Sequence, residues 1–171
     1  MLERFTGLEQ YYWEKAGYFV RHIPSTELPA NSGEFHNLVY PVVIGVLGLE
    51  VMSLQTEILP FNMWNRSELP IDVDQFQLTA RDASLNVLAP HSLISISLIP
   101  GSHVAPLEAE TRSRIANGLF VDIAVNIELR AGDILFYNPY LANCVLVNMD
   151  MALGPLRFIG PGHPVYAHSI Q

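Results

Sequence analysis

At 171 residues the chain is long enough for one domain with a sizeable core. Half the residues are hydrophobic, 15% are charged, the mean hydropathy is +0.24 and the formal net charge is −8, with Lys15 as the sole lysine. This balance excludes a nucleic-acid partner, whose phosphates need clustered Lys and Arg. It also gives no membrane span, because the longest apolar stretches are interrupted by Pro41, Gly45 and Gly48 well short of the ~20 residues required.

A single cysteine, Cys144, leaves no internal disulfide and points to a reducing compartment. The opening "MLERFTGLEQ" carries acids and no apolar signal core, so a cytoplasmic protein is expected. "NRS" at Asn65 matches a glycosylation sequon, read as chance without a signal segment. So apolar a chain with so few charges favours covering surface in a homo-oligomer or larger assembly.

In chain order, Leu2, Phe5, Leu8, Tyr12 and Ala16 recur at helical spacing and predict a helix over 2–16, closed by Gly17 as C-cap. "GYFVRHI" reads as a short strand and "PSTELPANSG" as a loop. Phe35, Leu38, Val39, Val42, Val43 and Val46 mark a second helical face, in which Pro41 kinks the helix or starts a new one and Gly48 ends it.

From residue 50 the period becomes two. Met52, Leu54, Thr56 and Ile58 form one alternating set, Ile94, Ile96 and Leu98 another, and Leu119 to Leu129 a third. "RAGD" at 130–133 is a turn between strands, and "PLRFIG" a last strand. "GDILFYNPYLANCVLVN", residues 132–148, reads as a strand, a Pro-containing turn and a second strand. Two helices followed by short antiparallel strands predict a mainly β fold: a sandwich, or a double-stranded β-helix (cupin-like jelly roll), with the helices packed on one outer face. One domain is expected over 1–171, with a helical part at 1–48 and a β-barrel part at 49–171.

The order of elements and several motifs resemble phytanoyl-CoA dioxygenase-like proteins. "LISISLIPGSHV" is similar to the family's strand and Pro-Gly-Ser-His turn, and "ELRAGDILFYNPYLANCVLVN" to its Gly-Asp strand and following turn. "YYWEKAGYFVRHIPSTELP" and "NLVYPVVIGVLGLEV" resemble its opening elements more weakly. The resemblance implies an Fe(II)- and 2-oxoglutarate-dependent oxygenase fold, in which two histidines and an aspartate hold iron on one side and leave positions open for cosubstrate and oxygen.

Carried over residue by residue, the distal histidine position falls on Asn143. The His-x-Asp falls on Asp72 and Asp74 of "IDVDQF". Both histidines are therefore replaced. Arg157 matches the arginine that holds the 2-oxoglutarate carboxylate.

Each of these residues also has a bland reading. Asp72 and Asp74 share a strand face if extended and suit acid–base work; otherwise they are solvated loop acids. Arg157 either binds an anion or pairs with Glu128 or Asp74. His103 of "PGSH" suits a turn role better than ligation, though it can also touch substrate. His91 reads as a loop residue, and His22 and His36 as isolated. Cys144 lies among apolar residues and reads as an inert thiol before a nucleophile. Asp133 reads as a turn residue bonding its own backbone. Trp64, Phe76 and Tyr137 are core residues or the lining of an apolar cavity.

The expectation is a pocket protein that has lost iron chemistry and needs no cofactor. It binds a small molecule or catalyses a redox-neutral step such as isomerisation or cyclisation, with Asp72, Asp74 and Arg157 as catalytic groups and Trp64, Phe76, His103, Tyr137 and Asn143 around the ligand. Two alternatives stand beside it. One is an oxygenase that uses Fe(II) and 2-oxoglutarate through unconventional ligands. The other is a non-catalytic assembly subunit.

Overall fold

The computed structural model describes residues 2, 4–48, 50–54, 83–103, 110, 113, 124–141, 143–145 and 152–161; at 52, 54 and 143–145 it describes the backbone only. The first helix, α1, spans Gly7–Ala16. It starts where Thr6 and Glu9 satisfy each other's backbone: Thr6 Oγ1 accepts the Glu9 N–H and Glu9 Oε2 accepts the Thr6 N–H. The start at residue 2 expected from spacing is therefore too early. Leu2 and Phe5 lie ahead of the helix and pack on the core, whereas Leu8, Tyr11 and Tyr12 are exposed and α1 buries no side chain fully. Capping chemistry set the boundary, and the apolar spacing was misleading there. Gly17 caps the end as expected, with a positive φ of 85°.

Strand β1 (Tyr18–His22) follows, then a 3-10 turn at Ser25–Glu27 within the expected loop. Helix α2 spans Ser32–Leu47, capped by Asn31, whose Oδ1 accepts the Glu34 N–H. It runs through Pro41 without a second start and ends at Gly48. Its buried residues, Phe35, Val39, Val42 and Val43, are those the spacing selects.

The remaining strands are β2 (Met52–Leu54), β3 (Ser84–Pro90), β4 (Ile94–Leu98), β5 (Val125–Leu129), β6 (Asp133–Tyr137), β7 (Asn143–Val145) and β8 (Ala152–Ile159). They form two antiparallel sheets, one in the order β1-β6-β3-β8-β2 and one in the order β5-β4-β7. Strand β3 has no period-two signature because all seven of its residues are buried, and a strand covered on both faces loses its alternation.

One face of the five-stranded sheet carries Phe19, Leu85, Val87, Ala89, Ile134, Phe136 and Phe158, which pack with α2. Phe19 stacks on Phe136 at 4.8 Å between centroids. The helical layer on one outer face is thus present. The other face carries Leu88, Leu135, Tyr137 and Ala152, which share a second core with Ile94, Ile96, Leu98 and Leu129 of the three-stranded sheet.

The "RAGD" turn joins these sheets. Arg130 donates its N–H to Asp133 Oδ2, and the Asp133 N–H returns to the Arg130 carbonyl. At Gly132 a Cβ would stand 2.3 Å from the Ile23 carbonyl, so only glycine fits. Strands β5 and β6 lie in different sheets, as do β6 and β7; "GDILFYNPYLANCVLVN" is therefore no hairpin but a crossing from one sheet to the other.

Candidate functional site

Cross-strand register builds a polar row across the face of the five-stranded sheet that looks toward the three-stranded one. Tyr18 of β1 pairs with Tyr137 of β6, Tyr137 with Asn86 of β3, and Asn86 with Arg157 of β8. Partners in one row point to the same face, because side chains alternate along each strand and paired residues alternate together. The next row, Val20, Leu135 and Leu88, is apolar.

Within the polar row, Arg157 Nε–H donates to Asn86 Oδ1 at 3.2 Å. Arg157 is half-buried and Asn86 is 7% exposed. Its terminal Nη groups have no carboxylate partner among the described residues. Of the two ion-pair partners expected from sequence, Glu128 is exposed on β5 opposite Ser95, on the outward face of the other sheet, and so cannot serve; Asp74 lies outside the described residues. Tyr137 is 4% exposed. Burial, with a smaller push from nearby Tyr12, moves the Tyr18 phenol above its ordinary pKa and keeps it neutral.

His103 is placed differently. Its ring lies against Gly17 at the corner between α1 and β1, so close that a Cβ on Gly17 would stand 2.5 Å from Nδ1. The "PGSH" turn is held at that corner by the Gly101 N–H on the Ala16 carbonyl, and Ser102 Oγ closes the turn on the Ile99 carbonyl. A buried histidine wedged beneath a helix cap suits the turn role.

Asn143 begins β7 with its backbone opposite Leu98. Asp72, Asp74, Trp64 and Phe76 lie outside the described residues, as does most of the strand expected over 52–58 and the early part of that over 119–129. His91 is exposed between β3 and β4. His22 and His36 are not isolated: His22 Nδ1 bonds Asp133 Oδ1, and His36 stacks near Tyr40 and Phe158. The residues that sequence reasoning missed are Asn86 and Tyr18. An asparagine amid "SLNVLAP" is the one signal that could have found the first; nothing local marks the second.

No family model and no curated protein matches the chain. Solved structures do. HygX from Streptomyces hygroscopicus in its apo form is similar with a TM-score of 0.62 and 20% identity over 93% of this chain and 88% of its own. HygX with nickel and 2-oxoglutarate bound gives 0.61 and 20% over 92% and 88%. EvdMO1 gives 0.54 and 11% over 91% of this chain and 50% of its own. This chain has the 2-oxoglutarate oxygenase fold. At these identities the likeness concerns the oxygenase fold alone, and chemistry must be argued from the residues. No helix among the described residues is long and apolar enough to cross a membrane.

Proposed function

We propose that this chain is a divergent relative of the phytanoyl-CoA dioxygenase-like proteins that uses the oxygenase fold as a pocket for a carboxylate- or carbonyl-bearing small molecule and catalyses a redox-neutral step, isomerisation or cyclisation, in place of iron-dependent oxidation. The observation that carries this reading is Arg157, half-buried on the inner face of β8 and held through Nε by a neutral amide, with no carboxylate on its Nη donors among the described residues. A guanidinium in that position fits a planar anion or polarises a carbonyl.

The donor set implied for iron does not fit it. Asn143 stands where the resemblance expects the distal histidine, and an amide oxygen is a neutral, weak ligand for Fe(II). Two carboxylates with an amide suit a hard cation better. The reaction proposed for this pocket uses no iron. In the redox-neutral reading Asp72 or Asp74 takes a proton from a carbon next to the substrate carbonyl. Arg157 stabilises the oxygen on which charge develops, and the same carboxyl group returns the proton at the new position. The bound state of HygX, with nickel, 2-oxoglutarate and hygromycin B together, supports the idea that a pocket of this fold holds small molecules.

The test is metal content, with thermal stabilisation by Fe(II) and by 2-oxoglutarate, on protein purified without chelator. At about a hundredfold excess over Kd a ligand adds roughly 2.7 kcal/mol, a readily measured shift. Stabilisation by 2-oxoglutarate without iron, and no succinate formed, is the expected result. Stoichiometric iron with turnover of 2-oxoglutarate to succinate would replace this reading with that of an oxygenase with unconventional ligands.

A further inference from the structure

We infer that Asn86 is a positioning residue for Arg157 and sets the charge selectivity of the pocket, tuning it to a single carboxylate group. The inference rests on the reading of Arg157 given above and deepens it. Asn86 lies in the middle of β3, the central strand of its sheet, with paired strands on both sides. Its neighbours Leu85 and Val87 face the helical core, so Asn86 faces the inner side. An amide buried to 7% exposure costs free energy unless it is bonded, and an apolar residue would fill the position without that cost. What the amide provides is an acceptor for the Arg157 Nε–H in the adjacent register position.

The chemistry of that acceptor decides what else the arginine can bind. Tying Nε fixes the plane of the guanidinium and leaves the two Nη atoms as a fork, the edge that takes both oxygens of a carboxylate. Because Asn86 is neutral, this tether orients the cation without cancelling its charge. An aspartate at the same place would close an ion pair and remove the anion site. The other side chains of the row, Tyr137 and Tyr18, are phenols and not carboxylates, so neither pairs with the guanidinium as an acid would. The described row therefore offers one positive charge, held in a fixed plane by a neutral acceptor. That matches one carboxylate and not a neutral ligand.

The experiment is calorimetric titration of the whole chain with sodium succinate, 2-oxoglutarate and dimethyl succinate, in wild type, N86D and N86L, with the melting temperature of each. Wild type is expected to bind at least one of the two acids and not the ester. N86D should lose a hundredfold or more in affinity with its melting temperature unchanged or raised. N86L keeps the charge but frees the fork, and should lose about tenfold. If N86D fails to fold, N86L carries the test.

A role in folding alone would move melting temperatures and leave affinity within threefold, which overturns the role of Asn86 while the carboxylate pocket stands. Wild type that binds neither acid overturns the Arg157 reading itself and this inference with it, whereas wild type that binds the ester as tightly as the acids overturns the charge selectivity inferred here and leaves Arg157 as a group that polarises a carbonyl.

Discussion

Replacing Gly17 with alanine tests how the "PGSH" turn is held. Gly17 is the point where four segments meet. Its N–H donates to the Tyr12 and Trp13 carbonyls at 3.1 Å, its carbonyl accepts the Asn138 N–H at 2.8 Å, and the neighbouring Ala16 carbonyl accepts from Gly101 at 3.0 Å. Two costs follow from a Cβ. A left-handed backbone at φ 85° costs a non-glycine residue about 1–2 kcal/mol. The new carbon would also stand 2.5 Å from Nδ1 and 2.9 Å from Cγ and Cε1 of the buried His103 ring; forcing such overlap apart costs about 1–3 kcal/mol.

Together G17A should lose about 2–5 kcal/mol, which at ~2–4 °C per kcal/mol for a chain of this size lowers the melting temperature by about 10 °C. Urea denaturation followed by tryptophan fluorescence measures it, with Trp13 in the last turn of α1 as a near reporter. The second cost vanishes if the ring is removed, so G17A should cost about 1–3 kcal/mol less in an H103A background. G7A is the control, because a Cβ there meets nothing within 4 Å. A loss below about 1 kcal/mol in G17A, or an equal loss with and without the His103 ring, would mean that the ring does not press on Gly17 in solution.

Two further outcomes concern the frame. Burial by itself would raise the Glu9 carboxyl, but the Arg21 and Thr6 hydrogen bonds and the Arg21 charge outweigh it and hold its pKa below the ordinary value of 4.5. A depressed folded-state pKa contributes stability that is present above about pH 4.5 and lost as pH falls through the lower folded value; E9Q should therefore cost about 1–3 kcal/mol at pH 7 and converge on wild type in acid, and a gap constant from pH 7 to about pH 3 would contradict this. F136A removes a fully buried ring stacked on Phe19 and should cost about 3–5 kcal/mol by urea denaturation, whereas a loss under about 1.5 kcal/mol would mean that the helical side of the sheet repacks freely.

The local elements are legible in the chain's own residues. The buried face of α2 from Phe35 to Val43, the Gly17 and Gly48 helix ends, the alternation of β4 and the turn at 130–133 all follow from periodicity and from residues with special backbone needs, which act within a few positions of the chain. Where local rules competed, they misled. The apolar spacing of residues 2–16 lost to the Thr6–Glu9 cap, and β3 went unseen because complete burial erases the alternation by which a strand is recognised.

The site arises from strand pairing. Arg157 is legible in the sequence as a cation on a strand that either binds an anion or pairs with Glu128 or Asp74, and the structure places Glu128 on the outward face of the other sheet. Asn86 becomes its holder only when β3 and β8 pair in one particular register, and a slip of one residue would send that amide to the other face. The same holds for His103, which nothing in "PGSH" places beneath the cap of α1. Pairing between strands distant in the chain is set by burial summed over whole faces, a quantity that no short stretch of sequence contains.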